Sequence, residues 1–156
     1  MMNVKETNYS MVTKQLSSLI EGETNLIAIL SNTSALLNDA LDQVNWVGFY
    51  LIEGNELILG PFQGHPACVH IAIGKGVCGT AVSENTTQRV SDVHQFSGHI
   101  ACDANSQSEI VVPVRINNEV IGVLDIDAPI KDRFSQEDQD GLEQIVHILE
   151  NQLSQS

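Results

Sequence analysis

Two runs of alternating apolar residues constrain the fold of this chain more than any other feature. Residues 109–116 and 119–128 each have the two-residue period of a β-strand, and Asn117-Asn118 between them marks a turn. One face of the first run is wholly apolar and carries Ile110, Val112, Val114 and Ile116. The sequence therefore predicts an antiparallel hairpin with one buried face.

The register of this hairpin decides which carboxylates meet. A two-residue loop would pair Ile116 with Glu119 and mix the apolar face with Asp125 and Asp127. We therefore expect a loop with an odd number of residues and one asparagine in the left-handed conformation. That register would place Glu109 beside both aspartates in a cluster of three carboxylates. It would also keep the apolar side of the second strand buried, with Val120, Leu124 and Ile126.

Helical periodicity begins and ends the chain. Residues 7–20 and 24–41 predict two amphipathic helices, and residues 135–153 predict a third. Ser135 and Asp138 resemble a capping box for the third. We expect an α/β (α+β) fold, with a central, mainly antiparallel sheet, the N- and C-terminal helices on one face and a ligand pocket on the other.

The segment between the first hairpin, at about 45–60, and the second contains little regular structure. Only a strand at 69–73, a short helix near 79–84 and a strand near 88–91 are expected. Such a stretch is unusual inside a compact domain unless it has a function, so we expect it to fold over the pocket. We find no linker or repeat, and residues 1–156 should form one domain. Its parts are the helices at about 7–41, the sheet and pocket at about 45–128, and the closing helix at about 135–153.

The charge balance restricts the partners. The 156 residues include 20 Asp and Glu against seven Lys and Arg, a formal net charge of −13 at pH 7. Nucleic acids and anionic membranes need a basic patch, so we expect neither as a partner. No apolar stretch reaches the roughly 20 residues of a membrane span, and the N-terminus lacks a signal-peptide pattern. We expect a cytoplasmic protein, in which thiols stay reduced.

Three cysteines, Cys68, Cys78 and Cys102, lie in the middle third of the chain. An odd number in a reducing compartment indicates reactive thiols or a metal site. Cys102 precedes the acidic hairpin, so its thiol could reach the carboxylates. Acidic surroundings raise the pKa of a thiol, an effect that His94 or His99 could counter. The alternative is that all three cysteines are small buried hydrophobic residues.

The carboxylates and aromatic residues suggest a binding site. Glu109, Asp125 and Asp127 would repel one another on a shared face, so at least one could hold a proton and act as a general acid while the others bind an ammonium group. A solvated face or a cation site is the alternative. Trp46 and Tyr50 share a strand face, with Gly48 leaving a slot between them for a small apolar or sulfur-bearing group. Ordinary core packing is the alternative for the two rings.

Two further patterns are weaker. Gly74-Lys-Gly-Val-Cys-Gly79 fits G-x-G-x-x-G, but the helix after it is too short for a dinucleotide-binding crossover unit. The glycines fit better in a tight loop that approaches a ligand or the sheet. Zinc ligands are available, but their spacing matches no common zinc pattern, and we predict neither a metal nor a cofactor. These candidate ligands are His65, Cys68, His70, His94, His99 and Cys102.

Five segments together resemble the free methionine-(R)-sulfoxide reductases, small enzymes built on a single GAF-type domain. The glycine loop and Gly-Val-Leu are common to GAF domains, whereas the three cysteines with the Asp-Ile-Asp strand are more specific. The likeness covers nearly the whole chain. The segments are Trp46-Val-Gly-Phe-Tyr50, Gly74-Lys-Gly-Val-Cys-Gly79, His99-Ile-Ala-Cys102-Asp-Ala, Ser108-Glu-Ile-Val-Val-Pro113 and Ile121-Gly-Val-Leu-Asp-Ile-Asp127.

This resemblance implies reduction of free L-methionine-(R)-sulfoxide to methionine. Cys102 would attack the sulfoxide sulfur and become a sulfenic acid. A second cysteine would then form a disulfide that thioredoxin reduces; Cys68 is preferred, with Cys78 as the alternative or a relay. Trp46 and Tyr50 would enclose the methyl group on sulfur. The three carboxylates of the hairpin would hold the ammonium group and supply the acid, in a division of roles that the sequence leaves open.

The main alternative is a non-enzymatic GAF-type sensor that binds a small molecule and dimerises through its terminal helices. Such a sensor would need neither three thiols nor a cluster of acids. A homodimer is common for these folds in either case, and the sequence leaves the oligomeric state open.

Overall fold

Hairpins build a single sheet, and the terminal helices cover one of its faces. The computed structural model describes residues 3–100, 102 and 104–155. In this part of the chain six antiparallel strands lie in the order β3-β2-β1-β6-β5-β4. The elements are α1 (Tyr9–Leu19), α2 (Leu26–Ala40), β1 (Trp46–Glu53), β2 (Glu56–Gly64), β3 (His70–Ala72), α3 (Gly76–Glu84), β4 (Gln88–Val90), a 3₁₀ turn (Val93–Gln95), β5 (Ser108–Ile116), β6 (Glu119–Ala128) and α4 (Gln136–Leu153).

Polar side chains fix the starts of the three long helices. Asn8 accepts a hydrogen bond from the amide of Met11, and Asn25 accepts one from Ala28. Ser135 and Asp138 form the capping box at the start of α4, each side chain accepting from the other residue's amide. The α+β architecture and the capping box are therefore confirmed.

The sheet separates two apolar clusters. The larger cluster lies between the sheet and the terminal helices, where Leu16, Leu30 and Leu149 are at most 1% exposed. The smaller cluster lies on the opposite face and includes Trp46 and Tyr50. Alternation along the central strands divides side chains between the two faces, so the pocket-side residues rest on a sheet that the helices support.

The turn between β5 and β6 differs from the expected one. Asn117 and Asn118 have φ values of 53° and 66°, and they form a two-residue loop that pairs Ile116 with Glu119. Two consecutive positive φ values match a type I′ turn, which suits the twist of a hairpin. The prediction of an odd-length loop was therefore wrong.

A β-bulge next to this turn restores the register that the buried face requires. Val114 pairs with Gly122 whereas Arg115 pairs with Val120, so Ile121 is an extra residue in β6. Ile121 packs against the helix-side cluster. Beyond the bulge Glu109 pairs with Asp127, which gives the carboxylate cluster its expected arrangement by another route.

A buried polar network attaches the N-terminal helix to α4. The hydroxyl of Tyr9 donates to Asp138 over 2.6 Å, and the guanidinium of Arg133 donates to the other oxygen of the same carboxylate over 3.0 Å. Arg133 also donates to the carbonyl of Asp42 over 2.7 Å. The buried charges of Arg133 and Asp138 are thus paired and hydrogen-bonded.

The helices in the described residues give no candidate for a membrane span, since none combines sufficient length with sufficient apolar character.

Candidate active site

A small cavity opens on the face of the sheet opposite the terminal helices. Its volume is about 40 Å³, enough for a few water-sized groups. The walls come from β1, α3, β5, β6 and the segment before β5. Seven of the eight predicted site residues line it, namely Trp46, Tyr50, Cys78, Cys102, Glu109, Asp125 and Asp127. The eighth, Cys68, is bonded to one of the seven.

Cys68 and Cys102 form a disulfide at this cavity, with their Cα atoms 5.4 Å apart. The two cysteines are 34 positions apart in the sequence, and both are half-buried. The hydroxyl of Tyr50 donates to the carbonyl of Cys68 over 2.9 Å, which ties the loop after β2 to the cavity wall. Two thiols can therefore interconvert with a disulfide within reach of the carboxylates.

The carboxylates of β5 and β6 are buried together. Glu109 and Asp125 are only 7% and 5% exposed. Burial raises the pKa of Glu109 well above its usual range, and the neighbouring charges of Asp125 and Asp127 raise it further. Burial also raises the pKa of Asp125, against the opposing effect of hydrogen bonds from Glu109 and Cys78. The cluster can therefore hold a proton on Glu109 near neutral pH.

One carboxylate atom in the cluster has an unmet hydrogen-bonding capacity. Oδ1 of Asp125 is buried and has no hydrogen-bond partner. The cavity wall contains no Lys or Arg among the described residues, and its one basic side chain is that of His99. A buried carboxylate oxygen without a partner is costly, so the site is suited to a cationic ligand that donates hydrogen bonds.

Cys78 lies in the first turn of α3 and is a free, buried thiol. Burial raises its pKa, and the charges of Asp125, Glu109 and Asp127 act in the same direction. Its sulfur and one carboxylate oxygen from each of Glu109 and Asp125 all lie within 4.8 Å of one another. Cys78 is therefore a neutral thiol in this form, unlike the two cysteines of the disulfide.

The start of α3 supplies donors that the sequence interpretation missed. The amides of the first turn of a helix have no intrahelical partner, and Gly76, Val77 and Cys78 of that turn line the cavity. Lys75 precedes them without making a side-chain capping bond. Gly76 has a φ of 63°, a conformation that favours glycine. The glycine-rich motif was the available signal, since it predicted a close approach to a ligand.

The aromatic wall is more closely packed than expected. Trp46 stacks on Phe62, with ring centroids 5.2 Å apart, and on Tyr50 at 5.9 Å. A Cβ atom at Gly48 would lie 2.8 Å from the Trp46 ring and 2.3 Å from Cβ of Phe62. Trp46 and Phe62 thus fill the space above Gly48. In the part of the chain that the structure describes, the slot expected between the rings of Trp46 and Tyr50 is closed. The sequence interpretation also missed Phe62.

His99 does not supply a positive charge to the cavity. His99 lines it, and burial lowers its pKa below the usual value, with a smaller contribution from His94. The two imidazole centroids are 6.5 Å apart. A neutral His99 near pH 7 leaves the negative potential of the carboxylates uncompensated.

Comparisons with known proteins agree with this geometry. The GAF domain family model matches residues 25–153. The free methionine-R-sulfoxide reductase of Escherichia coli (strain K12) is 54% identical over 146 residues, which are 94% of this chain and 88% of that protein.

Two solved structures of fRMsr from Staphylococcus aureus are similar throughout, each at 70% sequence identity. The reduced form has a TM-score of 0.96 and covers 98% of this chain and 99% of its own. The complex with substrate has a TM-score of 0.94, with coverages of 97% and 99%. The chain therefore belongs to the GAF-domain family, and within it to the free methionine-R-sulfoxide reductases.

Proposed function

We propose that this protein reduces free L-methionine-(R)-sulfoxide to L-methionine, using Cys102 as the nucleophile. The observation that carries the proposal is the Cys68–Cys102 disulfide beside a buried cluster of carboxylates. Reduction of a sulfoxide consumes two thiols and is assisted by a proton donor that regains its proton, and the cavity brings both kinds of group together.

Two charged groups and one apolar group of the substrate have complementary partners. The ammonium group would bind Asp125 and Asp127, and it would satisfy the unpartnered Oδ1 of Asp125. The carboxylate would accept hydrogen bonds from the first-turn amides of α3, where the helix dipole also favours an anion. The methyl group on sulfur would contact Trp46 and Tyr50. Burying both ends of an amino acid would exclude methionine sulfoxide within a polypeptide.

The chemical steps balance with the residues available. The Cys102 thiol would attack the sulfoxide sulfur, and the S–O bond would break as oxygen passes to Cys102, giving methionine and a sulfenic acid. Glu109, which burial keeps protonated, would donate a proton to the departing oxygen and regain one from the thiol. The Cys68 thiol would then attack the sulfenic sulfur, releasing water and forming the disulfide.

A dithiol protein such as thioredoxin would complete the cycle by reducing that disulfide. Val69 and Ile100 are 51% and 39% exposed, and they lie within two residues of Cys68 and Cys102 respectively. An apolar partner surface could cover them while its thiolate attacks the disulfide. Because the cycle returns to free thiols, we infer that the protein acts in the reducing cytosol.

We also infer a homodimer formed through the N-terminal helices. Met11 and Leu19 of α1 and Ile27 of α2 are 46–55% exposed, unusual for large apolar side chains. Light scattering of Met11→Ser/Leu19→Ser against the wild type tests this: a dimer that persists at low micromolar concentration in the variant would exclude this interface.

The deciding experiment for the function is a turnover assay on racemic free methionine sulfoxide, with dithiothreitol as reductant and chiral analysis of the sulfoxide that remains. We expect the R epimer alone to disappear and methionine to accumulate. If fully reduced protein consumes neither epimer, the reductase proposal fails and a non-enzymatic GAF-type sensor is the better account. Replacing dithiothreitol with thioredoxin and its reductase in the same assay tests the partner separately.

A further inference from the structure

Three potential metal ligands lie together in the cavity, each on a different element. Cys78 comes from α3, Glu109 from β5 and Asp125 from β6, and one donor atom from each lies within 4.8 Å of the other two. All three side chains are buried, and the sulfur is a free thiol even when the other two cysteines are joined. The proposed reaction uses Glu109 and Asp125 but assigns no step to Cys78, so this combination of donors has no role in it.

A second observation points to a cationic ligand here. Asp125 is 95% buried, since it is only 5% exposed, and its Oδ1 has no hydrogen-bond partner. Asp127 adds to the negative potential, Glu109 offers a neutral carboxyl oxygen, and no Lys or Arg lines the described wall of the cavity. A cation at this position would be attracted by the two aspartates and would satisfy Oδ1 of Asp125.

We propose that Cys78, Glu109 and Asp125 bind a thiophilic divalent cation, represented by Zn²⁺, and that the bound ion inhibits the enzyme. Zinc accepts mixed sulfur and oxygen donors at about 2.3 Å and about 2.0–2.2 Å, which places its ligand atoms roughly 3–4 Å apart. The observed limit of 4.8 Å therefore needs only side-chain adjustment. A thiol disfavours Mg²⁺ and Ca²⁺, which prefer oxygen donors alone.

The inhibition rests on the proposed function, because the ion would occupy the place assigned to the substrate ammonium. It would be an inhibitor that competes with substrate rather than a resident cofactor.

The binding test uses the disulfide form of the full chain, in which Cys78 is the only free thiol. Co²⁺ is the probe, because a Co²⁺–thiolate bond gives a charge-transfer absorption in the near ultraviolet that carboxylate ligation does not. We expect one equivalent of Co²⁺ to produce this band and one equivalent of Zn²⁺ to remove it. Absence of the band in the wild type would overturn the proposal, and this result is independent of any reductase activity.

Variants locate the bound ion. Cys78→Ser should lose the band, and Asp125→Asn should weaken Co²⁺ binding by at least about tenfold. The matched control is His70→Ala, which removes the surface pair that His70 forms with Glu56 over 3.0 Å and should bind like the wild type. Wild-type affinity in Asp125→Asn with its far-ultraviolet circular dichroism unchanged would overturn the site, as would a band retained in Cys78→Ser.

The inhibition is tested in a single turnover of Cys68→Ser, which avoids metal binding by a reduced Cys68–Cys102 pair and needs no chelating reductant. We expect Zn²⁺ to suppress methionine formation and excess sulfoxide to restore it. Suppression that excess sulfoxide does not relieve would overturn the competitive mechanism. Should this variant form no methionine even without Zn²⁺, the proposed function fails, while the Co²⁺ result still decides the metal site.

Discussion

At the residue scale, the two cysteines of the disulfide should have separable defects. Cys102→Ser removes the nucleophile, so we expect no methionine even in a single turnover. Cys68→Ser keeps the nucleophile but cannot form the disulfide, so it should release about one methionine per chain and then stop when thioredoxin is the reductant. Methionine release measured after rapid mixing of reduced protein distinguishes them. Sustained turnover by Cys102→Ser would refute the nucleophile assignment.

The burial of Glu109, which suits its proposed role as an acid, should reduce the folding stability of the protein at neutral pH. Its folded-state pKa is raised by burial and by two neighbouring acids. The folded protein therefore binds the proton more tightly than the unfolded chain. Stability is then fully present below the usual carboxyl value, 4.5, and falls as pH rises through the raised pKa.

Glu109→Gln should remove this penalty without changing the side-chain shape. We expect the variant to unfold at a higher temperature than the wild type at pH 7, with the difference vanishing toward pH 4, while sulfoxide reduction is largely lost. Thermal melts across this pH range measure the effect. Exposed Glu119 provides the control, since Glu119→Gln makes the same charge change outside the cavity. A melting temperature for Glu109→Gln at or below the wild type at pH 7 would contradict the buried-acid account.

At the element scale, the β5–β6 hairpin shows what sequence periodicity determines and what it leaves undetermined. Alternation predicted both strands and the shared face of Glu109, Asp125 and Asp127. It could not distinguish an odd loop from an even loop followed by a bulge, because both shift the side-chain alternation by one residue. The choice between the two loops depends on tertiary packing, because Ile121, the extra residue of the bulge, packs against the helix-side cluster.

The other missed features depend on contacts between elements distant in sequence. Phe62 stacks on Trp46 because Gly48 allows the two strands to place both rings on one side. The amides of α3 reach the cavity because that short helix packs against β5 and β6. Local patterns carry no record of such packing, whereas the chemistry of the cysteines and acids is evident in the residues themselves.

The turn can be tested by two substitutions at one position. Asn118 has a φ of 66°. This conformation is strained for a residue that has a Cβ atom but no side-chain hydrogen bond to offset the strain. Asn118→Ala should destabilise the protein by about 1 kcal/mol, whereas Asn118→Gly should match or exceed wild-type stability. Urea unfolding of both variants measures this. Equal stabilities of the Ala and Gly variants would contradict the type I′ turn.

At the scale of the whole molecule, the sheet allows a costly polar site and a stable core to coexist. The helix-side cluster is the larger of the two apolar clusters, and side chains such as Leu16 and Ile145 are fully buried in it. The opposite face buries Glu109, Asp125 and the Cys78 thiol, where neighbouring acidic groups raise the pKa values of Glu109 and Cys78. The helix-side cluster provides most of the stability of the fold, whereas the buried acids on the cavity side reduce it. Substitutions in the site should therefore alter activity without unfolding the chain.

The disulfide links the redox state of the site to the stability of the whole molecule. Joining Cys68 to Cys102 closes a loop of 34 positions, which restricts the unfolded chain and should stabilise the oxidised protein by about 2–4 kcal/mol. Dithiothreitol should therefore lower the melting temperature of the wild type. Cys68→Ser, which cannot form the bond, should melt at the same temperature with and without the reductant. A wild-type melting temperature that does not respond to reduction would mean that the bond adds no stability to the native fold, and the catalytic cycle would then proceed without the stability change we expect.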